Sequence, residues 1–290
     1  MPYRHFGNIG DVWKHLPLCE ILAIEQPKVY VETNAAYAQY TLQGTPRQQY
    51  GVGHLYAYAD DADDVAGSHY VQHLKAANHS AAEPHIYLGS CALAMHMLRD
   101  TARRFIICDI EAEALESNAA YAKALGLDAT VETVLGDSIA GTLGLLPELS
   151  DDTFLHIDPY HIFEPNDAGQ TYFDVFVAAT RRGLRCMLWY GYFTGDEQAA
   201  LIGRIRADLV ADARVSLDQI HGVDVWLDIL APDRIVANPG VVGCGVLTGN
   251  LSRDSRDAVD ALAAGLVHVY AGARFEDAPR AIQVCSVVRH

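Results

Sequence analysis

The sequence predicts an α/β fold: a Rossmann-like, mostly parallel central sheet with helices on both faces and a small helical insertion. Three observations predict it. Segments of strand and helix character alternate from Val29 onward. The early strand candidates, VYV at 29–31 and FII at 105–107, are almost unbroken apolar runs, as strands covered on both faces must be. Glu32, Asp109, Asp137 and Asp158 stand where strand candidates stop, at the end of a parallel sheet where ligands bind.

Taken in order, residues 16–25 read as a helix. Val29, Tyr30 and Val31 supply the propensity for the first strand, and a loop follows to Tyr40. Residues 51–55 read as a loop and 65–77 as a helix, and 56–80 is expected to form a helical insertion within a single domain spanning 1–290. Gly89-Ser90 opens a helical run ending near Leu98. Residues 103–110 form a central strand, followed by a helix stopped by Gly126. Further strands are expected at 129–138, 153–157 and 184–193, separated by a helix at 169–180. A helix at 197–211 follows, then strands at 215–220, 223–230, 243–247 and 282–288, with a helix at 255–271.

Half of the 290 residues are hydrophobic, enough for one large core. The net charge of -16 opposes a phosphate backbone, so a small-molecule partner fits better than RNA. The start of the chain lacks a signal-peptide pattern, and no apolar stretch reaches the roughly 18 residues of a spanning helix. The expectation is a cytoplasmic protein that does not enter a membrane; the oligomeric state stays open. The six cysteines are widely spaced with no CxxC, so buried reduced thiols are expected and no metal site.

Taken singly, an acid at a strand end serves most often as a turn or helix cap. In series, these acids describe a nucleoside-containing cofactor: one carboxylate for ribose hydroxyls, another near an adenine amine. NAD requires a glycine-rich turn for its pyrophosphate. The chain has ETNAAYAQY at 32–40 instead, which favours S-adenosylmethionine, a cofactor without a pyrophosphate. In IDPYHIF at 157–163, Pro159 stiffens the turn after Asp158, and the rings of Tyr160, His161 and Phe163 follow. A rigid carboxylate beside rings suits an amine on a planar or cationic group.

These stretches resemble the bacterial 23S ribosomal RNA adenine-N6 methyltransferases. The resemblance is carried by Tyr3-Arg4-His5, Gly7-Asn8 and Asp11-Val12-Trp13-Lys14-His15 at the start. It continues through residues 32–40, Tyr87 with Gly89-Ser90, Leu98-Arg99, Asp109, Asp158-Pro159-Tyr160-His161, Leu188-Trp189-Tyr190 and Gly243-x-Gly245. It implies a class I methyltransferase fold and S-adenosylmethionine as cofactor. By the same resemblance His5, Lys14 and His15 lie near the methionine end of that cofactor, with Lys14 on its carboxylate and Tyr3 over the substrate pocket. Glu32, Thr33, Asn34, Tyr37 and Ser90 line the cofactor, Asp109 takes the ribose, Asp137 approaches the adenine, and Asp158 sits at the reacting centre with Tyr160 and His161.

The chain departs from that family where glycines become Ala36 and Ala38, and where the Asp-Pro-Pro-Tyr tetrad becomes Asp158-Pro159-Tyr160-His161. Several readings follow. The first is methyl transfer to a small amine- or nucleoside-like acceptor, with Asp158 orienting the nucleophile. The second is adenine-N6 methylation of 23S ribosomal RNA, requiring a basic rim from Arg99, Arg103, Arg104, Arg181, Arg182 and Arg185. The third takes S-adenosylmethionine alone and closes its aminobutyrate arm into azetidine-2-carboxylate, releasing methylthioadenosine. The fourth is a non-catalytic binding protein on the same fold.

Overall fold

The computed structural model describes residues 5–212, 214–227, 241, 243–271, 274–275, 278–279 and 282–288. Its strands are Val29–Thr33 (β1), Gln39–Thr41 (β2), Ile86–Leu88 (β3), Arg104–Asp109 (β4), Val131–Leu135 (β5), Thr153–Ile157 (β6), Arg185–Tyr192 (β7), Ile220–Leu227 (β8), Gly243–Gly249 (β9), Arg274–Phe275 (β10), Ala278–Pro279 (β11) and Ile282–Val288 (β12). One 8-stranded sheet has the order β12-β8-β9-β7-β6-β1-β4-β5. Strands β5, β4, β1, β6 and β7 are parallel. β9 runs antiparallel between β7 and β8, and β12 antiparallel beside β8. The chain enters the sheet in the middle at β1, moves out through β4 and β5, then crosses to β6 and moves out the other way. This is the class I methyltransferase arrangement of the Rossmann-like fold. Its reversal of direction between β1 and β6 creates the crevice in which such sheets hold ligands.

The longer helices are Ile9–Glu25 (α1), His69–Ala77 (α2), Ser90–Leu98 (α3), Ala112–Leu125 (α4), Ser138–Leu145 (α5), Tyr172–Arg181 (α6), Gly195–Ala211 (α7) and Arg253–Ala271 (α8). α1 packs against α2, α3 and α8, and α5 against α6. β1, β4 and β6 are buried along nearly their whole length, which explains their lack of alternation. Trp13 and Leu16 of α1 have no exposed surface. The described cysteines Cys19, Cys91, Cys108, Cys186 and Cys244 are buried free thiols. Among the described residues, no helix is long and apolar enough to cross a membrane.

Several segments differ from the expectation. α1 begins at Ile9 rather than near residue 16, because the Asn8 side chain accepts the Asp11 backbone N–H at 3.2 Å and caps the helix. The helix then runs through Pro17, whose missing N–H is tolerated inside a long buried element. Residues 51–55, expected as a loop, belong to the π-helical turn Gln49–Gly53 and the helix His54–Tyr58. Gly51 breaks the helical geometry there, and a Cβ on it would lie 2.2 Å from the Gly7 carbonyl oxygen. Residues 215–220, expected as a strand, hold the 3₁₀ turn Leu217–Gln219, because Ser216 and Gln219 cap each other reciprocally. Tyr3 and residues 228–230 lie outside the described residues.

Gly243 and Gly245 have a packing reason. They face Tyr192 and Tyr190 across the β7–β9 ladder. A Cβ at either position would lie 2.3 or 2.4 Å from those rings. The glycines therefore seat two buried tyrosines over the antiparallel strand.

Candidate functional site

A cavity of about 410 Å³ opens at the carboxyl ends of β1 and β6, within the size range of small-ligand pockets. Four pieces of chain build it: the segment entering α1, the loop after β1, the start of α3, and the turn after β6, with the tip of β7 on one side. The sequence-predicted residues His5, Lys14, His15, Asn34, Tyr37, Ser90, Asp158 and Tyr160 all line it.

Its floor carries a charge cluster. The Lys14 ammonium donates to Asp158 Oδ2 at 2.7 Å and lies 3.1 Å from Asp11 Oδ1. Their side chains are only 11–13% exposed. Burial works against the charge on Lys14, but Asp158 and Asp11 outweigh it and hold its pKa above the ordinary lysine value. For Asp11, burial is the larger influence and raises its pKa, against the pull of Lys14. Lys14 also stands 5.8 Å from the centre of the Trp189 ring. Asp158 is fixed from the backbone side too, because its N–H donates to Thr33 Oγ1 at 3.2 Å.

His15 is buried against Tyr87, with Nδ1 2.8 Å from the phenol oxygen. Burial, then the nearby Lys14, pushes its pKa well below the usual histidine range, so it is neutral. His5 is exposed at the rim, and its Nδ1 accepts from Arg47 at 2.6 Å.

The loop after β1 shows how the chain manages without the family's glycines. Asn34 and Ala36 both adopt left-handed φ, at 56° and 50°. Hydrogen bonds hold this shape: Ala36 N–H donates to Asp109 Oδ2 at 2.9 Å, and the Asn118 amide donates to the Ala36 carbonyl at 2.7 Å. The Asn34 amide donates to the Tyr172 hydroxyl at 2.8 Å. The close approach of backbone is supplied by Gly89, where a Cβ would lie 2.3 Å from the Tyr37 carbonyl oxygen. Tyr37 donates its hydroxyl to Glu113 at 3.0 Å.

Other predicted residues stand behind or beside the cavity. Glu32 is fully buried below it. Thr33 is also buried and acts on Asp158 as described. Asp109 closes β4 and is 1% exposed; its oxygens accept the backbone N–H groups of Ala36 and Glu111. Asp137 caps α5 by accepting from Ile139 N–H at 2.9 Å and also accepts from Asn166 at 2.6 Å. His161 is exposed in an adjoining groove, edge-on to Tyr160 at 4.5 Å.

Sequence reasoning passed over several lining residues, among them Asp11, Tyr40, Arg47, Trp189 and Phe193. Asp11 carried a usable signal, its three-residue spacing from Lys14 on a helix. Trp189 entered only within the Leu188-Trp189-Tyr190 match, and Arg47 lies in a segment with no motif. The arginines considered as an RNA rim are elsewhere. Arg104 and Arg185 begin β4 and β7, at the end of the sheet opposite the cavity, where they pair with Glu132 and with Glu25 and Asp152. Arg181 pairs with Asp212, and Arg182 donates to the Leu149 carbonyl, just before β7. Among the described residues, no cluster of side chains has the makings of a metal site.

No family model matches the chain. It is 31% identical over 111 residues to Ribosomal RNA large subunit methyltransferase J of Haemophilus influenzae, a match spanning 35% of this chain and 39% of that protein. The crystal structure of protein LPL1258 from Legionella pneumophila superimposes with a TM-score of 0.71 and 18% identity, covering 97% of both chains. An O-methyltransferase from Bacillus cereus, solved with SAH, superimposes more loosely: TM-score 0.42, 11% identity, 81% of this chain and 80% of that one. By its strand order the chain has a class I methyltransferase-like fold, and over the matched segment it has distant sequence similarity to a ribosomal RNA methyltransferase.

Proposed function

We propose that this chain is an S-adenosylmethionine-dependent methyltransferase acting on a small amine- or nucleoside-like acceptor. The carrying observation is Asp158: a carboxylate at the reversal point of the sheet, locked by Lys14 and Thr33, in a cavity walled by Trp189, Tyr160 and Phe193. The donor set suits the cofactor. Lys14 offers a cation for a carboxylate, and aromatic walls suit a sulfonium. Bound there, S-adenosylmethionine supplies a methyl group activated by positive sulfur.

The residues' own work is orientation. Asp158 accepts a hydrogen bond from the acceptor amine, which aims the nitrogen lone pair and gives the departing proton a place to go. The exposed ring of Tyr160 and the half-buried Trp189 hold a flat or cationic group beside it. Lys14 keeps Asp158 in one position, so no reorganisation is needed when the amine arrives.

A second reading is adenine-N6 methylation of 23S ribosomal RNA; the match to the Haemophilus protein, named a large-subunit ribosomal RNA methyltransferase, supports ribosomal RNA as the acceptor. Against it stand the net charge of -16 and the placement of the arginines away from the cavity.

The test is titration of the purified chain with S-adenosylmethionine, then mass-resolved turnover with small amines, nucleosides, ribosomal RNA or no acceptor. Methylation confined to small acceptors supports the proposal. Methylated RNA alone replaces it with the second reading. Methylthioadenosine and an azetidine amino acid formed without acceptor replace it with the cyclising reaction, and absence of cofactor binding overturns it.

A further inference from the structure

Beneath the cavity lies a charged cluster with no surface of its own. Glu32 and His156 are both fully buried. The Glu32 carboxylate is surrounded by donors: Ser90 Oγ and the His156 Nδ1 at 3.3 Å on Oε1, and the Tyr30 hydroxyl at 2.6 Å and Cys91 Sγ at 2.9 Å on Oε2. Burial alone would raise its pKa, but the His156 ring and the bonds from Cys91 and Ser90 outweigh burial and hold it below the usual carboxylate range. A buried anion so completely surrounded is stable as an anion, and it accepts every hydrogen offered to it.

The consequence reaches the cavity through one atom. A serine hydroxyl has a single hydrogen. Ser90 gives that hydrogen to Glu32, yet Ser90 also lines the cavity. Towards a ligand it therefore presents only lone pairs. Such an oxygen accepts from a donor such as an ammonium and repels another acceptor.

We infer that Glu32 is a positioning residue: by holding the Ser90 hydrogen it turns Ser90 into a dedicated acceptor for the ligand's ammonium group. This rests on the proposed function and adds which part of the ligand the site selects. The ligand's amino-acid end is read by opposite groups, with Lys14 placed for the carboxylate and Ser90 for the ammonium. Glu32, though an acid at a strand end, does not touch the ligand.

The experiment compares two probes by calorimetry: S-adenosylhomocysteine, and 5′-S-(3-carboxypropyl)thioadenosine, which keeps the carboxylate and lacks the ammonium. The wild type should prefer S-adenosylhomocysteine by about tenfold or more, the usual weight of a hydrogen bond to a charged group. Glu32→Leu, which removes the acceptor and so frees the Ser90 hydrogen, should reduce that preference several-fold while leaving the desamino probe within about twofold. Ser90→Ala should do the same, and the double variant should lose no more than either single one. Because a change in a buried cluster can prevent folding, Glu32→Asp provides a second route. It keeps the charge but withdraws it by one methylene, and it should also weaken the preference. A preference left intact in Glu32→Leu or Glu32→Asp, or additive losses in the double variant, overturns the inference and leaves the proposed function standing. A wild type that binds neither probe overturns both.

Discussion

On the proposed function, Lys14 and Asp158 are the residues on which the chemistry turns, and burial couples their roles. Asp158→Asn removes the acceptor for the departing proton and keeps the shape. Turnover should fall by at least about a hundredfold, with S-adenosylhomocysteine affinity little changed, as checked by single-turnover kinetics and calorimetry. Lys14→Met behaves differently. It leaves Asp11 and Asp158 facing each other without their cation, and breaking a buried ion pair costs roughly 3–5 kcal/mol. Its thermal melt should therefore shift strongly as well as its ligand affinity. Ala36 is strained for a different reason, its φ of 50°. Ala36→Gly relieves a left-handed alanine and should raise stability by about 1 kcal/mol, read as an increase in denaturation midpoint at constant slope.

At the scale of elements, the segment entering α1 is held from outside. Val52 N–H donates to the Gly7 carbonyl at 2.9 Å, and the Gln48 amide reaches the Phe6 carbonyl at 3.4 Å. The π-helical turn at Gln49–Gly53 thus sets where His5 and Phe6 stand over the cavity. Gly51→Ala would drive a methyl into the Gly7 carbonyl. It should destabilise by about 1–3 kcal/mol and weaken S-adenosylhomocysteine binding at the same time. Loss of stability with unchanged ligand affinity would show that this turn does not position the entrance.

For the whole molecule, two buried acids set opposite pH trends. Glu32 has a folded pKa depressed below 4.5, so its stabilisation is fully present above that pH and is lost as pH falls through the folded value. Asp224 is the reverse. Burial, opposed by hydrogen bonds from Tyr190 and its neighbours, pushes it up from 3.8 to about 7. The folded chain then loses stability as pH rises from about 4 to 7, by roughly 4 kcal/mol at most. Asp224→Asn keeps an acceptor for the Tyr190 hydroxyl, which donates to Asp224 at 2.9 Å. It should raise the melting temperature at pH 8 and have little effect near pH 4; equal shifts at both would refute the trend.

The sequence by itself determined the alternation of strands and helices, because apolar runs and turn residues act locally. It also determined the placement of Asp109 and Asp158 at strand ends, and the family resemblance led to the expectation that Lys14, His15, Ser90 and Tyr160, which line one cavity, share a site. Tertiary structure decided what each group does there. Which acids face ligand and which face protein depends on residues far apart in the chain: Glu32 meets Ser90 and His156, Asp109 meets Ala36, and Asp137 stays a helix cap. The loop without glycines keeps its shape through hydrogen bonds from Asn118 and to Asp109, and through the bare Cα of Gly89, none of which local sequence reveals. Strand ends follow from local propensity, but the direction of a hydroxyl hydrogen follows only from the partners that packing brings to it.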